Sequence, residues 1–450
     1  MSSSNGQRFL LALWAGAGLF ISTLADAQPG AGIEKVPLEI DASVQFQKMD
    51  GFGVNINTSW WLDGEFRNSD VVKPAIDLLA DSLGATIFRA VIEEMDWEAM
   101  NDNADPDTFN WDYYDAVFTS GRFKGVWNTL RYLNQKGITD GLIISFMGAP
   151  PASPPLAKAV ARDSWMGDTG HGVLPLMEDE FVESIAALLY YARHRAHIRF
   201  TLVSPMNETD IIGMTISDEH PGGIVEGPHM PDALQVARVL TKLARKLDAI
   251  GMDDIRFVAP DAGGDQLFSA CVDAFVGDPY LMSKIACWGV HDYGEDAANY
   301  LEIVNRPGNP LSSFWVTETA GIENLFGQLD DQASSFIFWD GFDAVYQHAI
   351  RNGYGSAPPN DWVFWIGDQG KPLVEYRAGT RDWVPRRQFY EYAQLFRFIR
   401  PGATRIAART GHEDLSVYAF LNPDQQVVIV GYNHGDQAFG FKGALKNLQT

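Results

Sequence analysis

The sequence predicts an α/β protein, a (β/α)8 TIM barrel with a small side β domain, and three observations carry that expectation. Apolar, β-branched runs alternate with amphipathic stretches from Met49 to Ile366, the pattern of a buried parallel sheet wrapped by helices. Two of the runs stop abruptly on a glutamate: Thr201-Leu202-Val203-Ser204-Pro205-Met206-Asn207-Glu208 and Phe314-Trp315-Val316-Thr317-Glu318. From about Arg405 the alternation gives way to paired strand-like runs without helices between them.

Taken in order, the strand candidates are Met49–Asn55, Thr86–Ile92, Leu142–Met147, Arg199–Ser204, Ile255–Pro260, Ile285–His291, Ser313–Glu318 and 362–366. Each is short, apolar and rich in β-branched or aromatic residues, as a strand buried on both faces must be. Helical stretches fall between them at Asp70–Leu83, Gly125–Lys136, Asp179–Arg195 and Pro231–Ile250. In the third of these, Phe181, Ile185, Leu188, Leu189 and Ala192 recur at helical spacing. Beyond the barrel, Leu415–Leu421 and Val427–Tyr432 flank the turn Asn422-Pro423-Asp424-Gln425 and predict a hairpin. Leu38–Phe46 is expected to join it from the N-terminal side. A sheet of so few strands is marginal by itself, so the barrel must support it or the C-terminal domain is incomplete.

The N-terminus has the three parts of an export signal: Arg8, the apolar run Phe9 to Leu24, and the small-residue site Ala25-Asp26-Ala27. At about 16 residues the run falls short of the roughly 20 that span a bilayer. The expected divisions are a signal peptide at 1–27, a linker and N-terminal strand at 28–47, the barrel at 48–400, and an apparently incomplete side β domain at 401–450. The mature protein is expected to be secreted or periplasmic.

The formal net charge is −24, and removing the leader deletes one charge of each sign. Such a surface disfavours nucleic acid and anionic membranes, which need clustered Lys and Arg. A monomer is the simplest expectation for the oligomeric state. Cys271 and Cys287 are too few for a disulfide framework, and Cys287, within Ile285-Ala286-Cys287-Trp288, is expected to be a buried small hydrophobe. The nine histidines show no metal-ligand spacing such as HExxH, and no Gly-rich dinucleotide fingerprint or Gly-x-Ser-x-Gly elbow is present. No metal and no cofactor are expected.

Paired carboxylates at strand ends are what glycosidic bond cleavage requires, one to protonate the leaving oxygen and one to attack the anomeric carbon. Among 58 acidic residues an arbitrary glutamate is an exposed loop residue, but a position directly after a buried strand sets Glu208 and Glu318 apart. Aromatic faces suit the C–H faces of a sugar, which makes the loop residues Trp60, Trp61 and Trp165 candidates. Asn55 and Asn57, at the end of the first strand, are placed to reach the substrate rim.

With these motifs the sequence resembles glycoside hydrolase clan A, and most closely family 30 within it. The Asn207-Glu208 ending of the fourth strand and the Glu318 ending of the seventh carry the likeness. Asp50-Gly51-Phe52-Gly53 and Phe396-Arg397-Phe398-Ile399-Arg400-Pro401-Gly402 extend it along residues 45–440. The resemblance implies Glu208 as acid/base, Glu318 as nucleophile, and Asn207 as a partner of the sugar 2-hydroxyl. It implies Arg89 as the arginine that holds the nucleophile, His291 and Tyr293 as the pair beside it, and Trp365 as the eighth-strand tryptophan under the reactive sugar. Two departures stand out: Ala149–Pro155 lacks the family's usual nearby tryptophan, for which Trp165 is the substitute, and Glu93-Glu94 adds unassigned acids. The expected activity is a retaining β-glycosidase acting on a poly- or oligosaccharide, with carbohydrate as the partner. A carbohydrate-binding barrel without catalysis, or another carboxylate-dependent barrel hydrolase or lyase, is the alternative. Sugar, linkage and endo or exo action are not legible.

Overall fold

A computed structural model describes residues 10–14, 33–57, 69–92, 96–98, 100–147, 165–167, 172–211, 227–293, 300–342, 372–377, 380 and 382–448. Its centre is a closed barrel of eight parallel strands: β3 (Gly51–Asn57), β4 (Ile87–Ile92), β5 (Leu142–Phe146), β6 (Leu202–Ser204), β7 (Arg256–Ala262), β8 (Ile285–His291), β9 (Phe314–Thr319) and β10 (Ser335–Phe338). β4, β5 and β9 are buried along their whole length, which explains why they are mostly apolar and makes Arg89, Ser145, Thr317, Glu318 and Thr319 stand out as polar residues within them.

Inside the barrel, Ile87, Ile143, Val258, Cys287, Trp315 and Ile337 pack together with Leu202 against them. Side chains two residues apart point to the same face of a strand. Where the strands run regularly, the next inward layer toward the strand C-termini therefore holds Arg89, Ser145, Ser204, Gly289 and Thr317. An apolar plug thus lies directly beneath a polar layer, and that step is what raises functional groups to the C-terminal mouth. Cys287 is buried in the plug and Cys271 in the helical shell; both are free thiols, and burial pushes both well above the ordinary thiol range.

Helices pack around the barrel as the apolar spacing requires. In α5 (Ala233–Ala249), Val236, Val239, Leu240, Leu243, Ala244 and Leu247 form the buried stripe. Asp232 starts this helix, its carboxylate accepting from the Leu234 N–H at 3.0 Å. The predicted stretch Asp179–Arg195 corresponds to α4 (Glu178–Tyr190) with a wider last turn over Tyr191–Arg195.

The eighth strand differs from expectation. The barrel closes through β10, which pairs with β9 on one side and β3 on the other, so residues 362–366 are not the closing strand and lie outside the described residues. A run of four residues so soon after β9 leaves room only for the nine-residue helix α9 (Ile322–Asp330). Apolar periodicity cannot tell which of two short runs closes a barrel; pairing with the first strand does.

The side sheet has six strands in the order β1-β15-β14-β13-β2-β16: Leu10–Trp14, Val427–Asn433, Leu415–Leu421, Thr404–Arg409, Glu34–Lys48 and Phe439–Lys446; β1 falls within the expected leader 1–27, so cleavage there would leave the other five. The hairpin forms as expected, with Leu421 opposite Val427, and the N-terminal strand β2 pairs antiparallel with β13. The barrel supports this sheet. Tyr418 stacks on Phe326 of α9 with centroids 5.1 Å apart, and its hydroxyl donates to Asp330 at 2.8 Å. Arg405 pairs with the same aspartate at 2.7 Å, and the Gln47 amide donates to the Leu329 carbonyl at 2.9 Å. A two-stranded antiparallel ribbon, β11 (Val374–Arg377) with β12 (Asp382–Pro385), precedes the last helix, α10 (Arg387–Phe396). Among the described residues no helix is long and apolar enough to cross a membrane.

Candidate active site

The polar layer above the plug converges on one guanidinium. Arg89, on β4, is fully buried. Its Nη1 donates to Asn55 Oδ1 at 2.9 Å and to Glu318 Oε2 at 3.0 Å. Its Nε and Nη2 meet Asp261 Oδ2 at 3.1 and 2.9 Å, and Nη2 also donates to Asn207 Oδ1. Groups from five strand ends, β3, β4, β6, β7 and β9, are thereby held in one cluster. A rigid planar fork with five donors is the side chain suited to this.

Glu208 and Glu318 face each other across the cluster with His291 between them. One oxygen from each glutamate and a ring nitrogen of His291 lie within 4.8 Å of one another. His291 Nδ1 is 2.6 Å from Glu208 Oε1 and 3.7 Å from Glu318 Oε2, while Nε2 is 3.5 Å from Asp261 Oδ1. The Tyr293 hydroxyl donates to the other Glu318 oxygen at 2.7 Å. Both glutamates are largely but not wholly shielded, at 6% and 7% exposure, as groups at the floor of a cleft would be.

The electrostatics follow from this packing. Burial pulls the His291 ring toward neutrality, but the Glu318 and Glu208 carboxylates outweigh it and its pKa is pushed up to about 10. The ring is therefore an imidazolium at neutral pH. Burial would raise Asp261 too, yet Arg89, His291 and the Ser204 hydroxyl hold it well below the ordinary carboxylate range. Glu318 goes the other way. Burial, reinforced by Glu208, raises its pKa despite the opposing pull of His291, Arg89 and Tyr293.

Glu208 owes its position to an unusual backbone, with φ of +39°. Its N–H donates to the Asp261 carbonyl at 2.9 Å, across to β7. Gly227 lies so close behind that a Cβ there would stand 1.5 Å from the Asn207 carbonyl oxygen; only glycine fits.

Six of the residues singled out from the sequence thus meet in one cluster: Arg89, Asn207, Glu208, His291, Tyr293 and Glu318. Asn55 meets it from a different side than expected. It is fully buried, its amide donating to the Thr317 carbonyl at 3.1 Å and its oxygen taken by Arg89, so it braces strand ends instead of facing the substrate rim. Trp165 is half-buried, and its indole N–H donates to the Glu98 carbonyl at 2.7 Å; among the described residues it makes no hydrogen bond to the glutamate pair. Trp365, Trp60, Trp61, Glu93 and Glu94 lie outside the described residues, and the side chain of Asn57 does as well. Because β10 is the eighth strand, the tryptophan at its end is the half-buried Trp339, in place of the expected Trp365.

Asp261 is the central residue that sequence reasoning passed over. Fully buried, at φ of +58°, it accepts from the Ser204 and Thr317 hydroxyls as well as from Arg89. The signal was present, an acid ending the apolar run Phe257-Val258-Ala259-Pro260, but a lone aspartate gains meaning only once Arg89 is seen beside it.

Comparison with known proteins agrees with this architecture. A model described as the glycosyl hydrolase family 30 beta sandwich domain matches residues 402–442, inside the side sheet. The glucuronoxylanase XynC of Bacillus subtilis (strain 168) is 25% identical over 199 residues, which are 44% of this chain and 43% of that protein. The chain therefore spans less than half the length of that curated relative. Among solved structures, SrfJ from Salmonella typhimurium aligns with a TM-score of 0.62 at 13% identity, covering 92% of this chain and 95% of that one. The endo-beta1,6-glucanase BT3312 aligns at 0.61 with 16% identity, covering 95% and 99%. The family 30 subfamily 8 xylanase Xyn30A from Clostridium acetobutylicum aligns at 0.57 with 15% identity, covering 88% and 83%. These structural likenesses speak to the fold. Barrel, side sheet and matched sandwich segment together make this a chain like those of glycoside hydrolase family 30.

Proposed function

We propose that the protein is a secreted retaining β-glycosidase that cleaves a poly- or oligosaccharide by double displacement, with Glu208 as acid/base and Glu318 as nucleophile. One observation carries the reading: two glutamates from the ends of β6 and β9 meet within a 4.8 Å cluster. Retaining enzymes keep their carboxyls about 5–5.5 Å apart, whereas inverting enzymes leave about 6.5–9.5 Å for a water molecule.

In the first step a Glu318 oxygen attacks the anomeric carbon while Glu208 gives its proton to the departing glycosidic oxygen. In the second, Glu208 takes a proton from water, which displaces Glu318 and restores the starting configuration. Arg89 and Tyr293 each donate to a Glu318 oxygen, an arrangement that favours the anion needed for attack and orients its lone pairs. Asn207, anchored by Arg89, is positioned to meet the sugar 2-hydroxyl. The xylan and β-1,6-glucan named for the relatives are the first polymers to test, and the export-signal pattern supports assay of material recovered outside the cytoplasm.

The mechanism is tested on Glu318→Gln with an activated aryl β-glycoside. Turnover should fall by about 10³-fold or more, while oligosaccharide binding persists. Proton NMR of the first product should show the β-anomer; initial appearance of the α-anomer would remove the double-displacement reading.

A further inference from the structure

A second acidic cluster lies outside the cleft. Glu98 stands on the short helical turn Asp96–Glu98 that follows β4, and Glu180 and Glu183 stand one turn apart on α4. All three are buried, Glu98 and Glu183 completely, and one oxygen from each lies within 4.8 Å of the others. Asp102 is half-buried beside them.

The charges here are not answered as they are elsewhere in the molecule. In the cleft, Arg89 and the His291 imidazolium sit among the carboxylates. Glu178, on the same helix as Glu180 and Glu183, is also buried but pairs with Arg238 at 2.6 Å and Lys242 at 3.2 Å. Among the described residues neither Glu98, Glu180 nor Glu183 makes an ion pair. Lys246, whose charge reaches Glu180 and Glu183, donates its ammonium to the Pro106 carbonyl and lies 3.6 Å from Asp107.

A second observation is independent of the clustering. Both oxygens of Glu183, and one oxygen each of Glu98, Glu180 and Asp102, are buried without a hydrogen-bond partner. The Tyr114 hydroxyl satisfies only the other Glu98 oxygen, at 2.9 Å. Buried carboxylate oxygens left bare in this number are strongly unfavourable. Oxygens on opposite sides of a calcium ion lie about 4.8 Å apart, because each Ca–O contact is about 2.3–2.6 Å. The three carboxyl oxygens, each within 4.8 Å of the others, are therefore close enough to share one such ion.

We propose that Glu98, Glu180, Glu183 and Asp102 form a site for one hard divalent cation, calcium by its all-oxygen donor set. The ion would clamp the segment after β4 to α4. Because the Glu98 carbonyl accepts from the Trp165 indole, the same clamp fixes the base on which Trp165 is held.

The test uses the full chain, stripped with chelator and then titrated with calcium or terbium. Elemental analysis should find one calcium per chain. Terbium should luminesce on excitation of tryptophan, since buried Trp97 adjoins Glu98. At about a hundredfold excess of calcium over Kd, Tm should rise by roughly 3–5 °C. Glu183→Gln should weaken binding at least about tenfold, and Asp102→Asn, at the half-buried edge, provides the same readout if the first variant does not fold. Glu318→Gln should bind the ion as the parent does. Absence of bound metal with a Tm indifferent to calcium would overturn the proposal and leave protons as the compensating charge. Loss of the ion in Glu318→Gln but not in Glu183→Gln would overturn it by assigning the ion to the cleft.

Discussion

Replacing Arg89 by methionine tests the charge arrangement at its centre. The side chain is completely buried and carries four partners, two of them carboxylates at 2.9 and 3.0 Å. Methionine fills much of the same space and removes every donor, so Asp261 and Glu318 are left as buried charges with His291 as their remaining cation. Breaking a buried ion pair from one side costs about 3–5 kcal/mol of stability. The catalytic effect is worked separately. At 3.0 Å and an effective dielectric of about 20, the gross attraction between Arg89 and Glu318 is roughly 5–6 kcal/mol, of which desolvation cancels a large part. An adjacent cation ordinarily lowers a carboxyl pKa by about 1–3 units, so its removal should raise Glu318 by that amount from a value already above the ordinary glutamate value of 4.5. Because the nucleophile must be ionised, the acidic limb of kcat/KM should move up by about 1–3 pH units, and activity below that limb should fall about 10- to 1000-fold. The assay is a pH series with an aryl β-glycoside, paired with urea denaturation to confirm folding. Arg89→Lys, which restores one charge without the planar fork, should lie between the two. A limb that stays within about 0.3 units of the parent in a folded Arg89→Met protein would refute the claim that Arg89 acts through Glu318.

Three further outcomes are expected. His291→Gln removes a cation whose folded pKa is pushed up to about 10; a raised pKa stabilises fully below the unfolded value and is lost as pH rises through the folded one. The stability deficit of the variant should therefore be largest near pH 6 and shrink toward pH 10, and a deficit constant across that range in urea titrations would contradict the imidazolium. Gly227→Ala drives a methyl into the Asn207 carbonyl, and a shift of about 1 Å at the neighbouring Glu208 should cost about 10²-fold in kcat/KM. Parent-like kinetics in that variant would mean the contact does not position the acid/base. Trp339→Ala should lose more kcat/KM than Trp365→Ala, because Trp339 ends the strand that closes the barrel; the reverse order would return the sugar platform to the residue first expected.

What could be read in the chain and what could not divides along physical lines. Burial of a parallel strand on both faces forces a continuous apolar run, and that local constraint made Ile285–His291 legible to the residue and the other early strands nearly so. An abrupt acid after such a run is equally local, and it sets Glu208 and Glu318 apart in the sequence itself. The hairpin around Asn422–Gln425 was legible because turn chemistry and alternation are local too. The closing strand was not: Ser335–Phe338 and residues 362–366 are both short apolar runs, and only pairing with Gly51–Asn57 distinguishes them. The role of Asp261 and the burial of Asn55 depend on Arg89, which lies 172 and 34 residues away in sequence. Glu98 likewise meets Glu180 and Glu183 only because the segment after β4 packs on α4. Charge compensation is a property of neighbours in space, so local pattern marked every barrel strand but the closing one, together with the two candidate carboxylates, and barrel closure decided which charges neutralise one another and which stand bare.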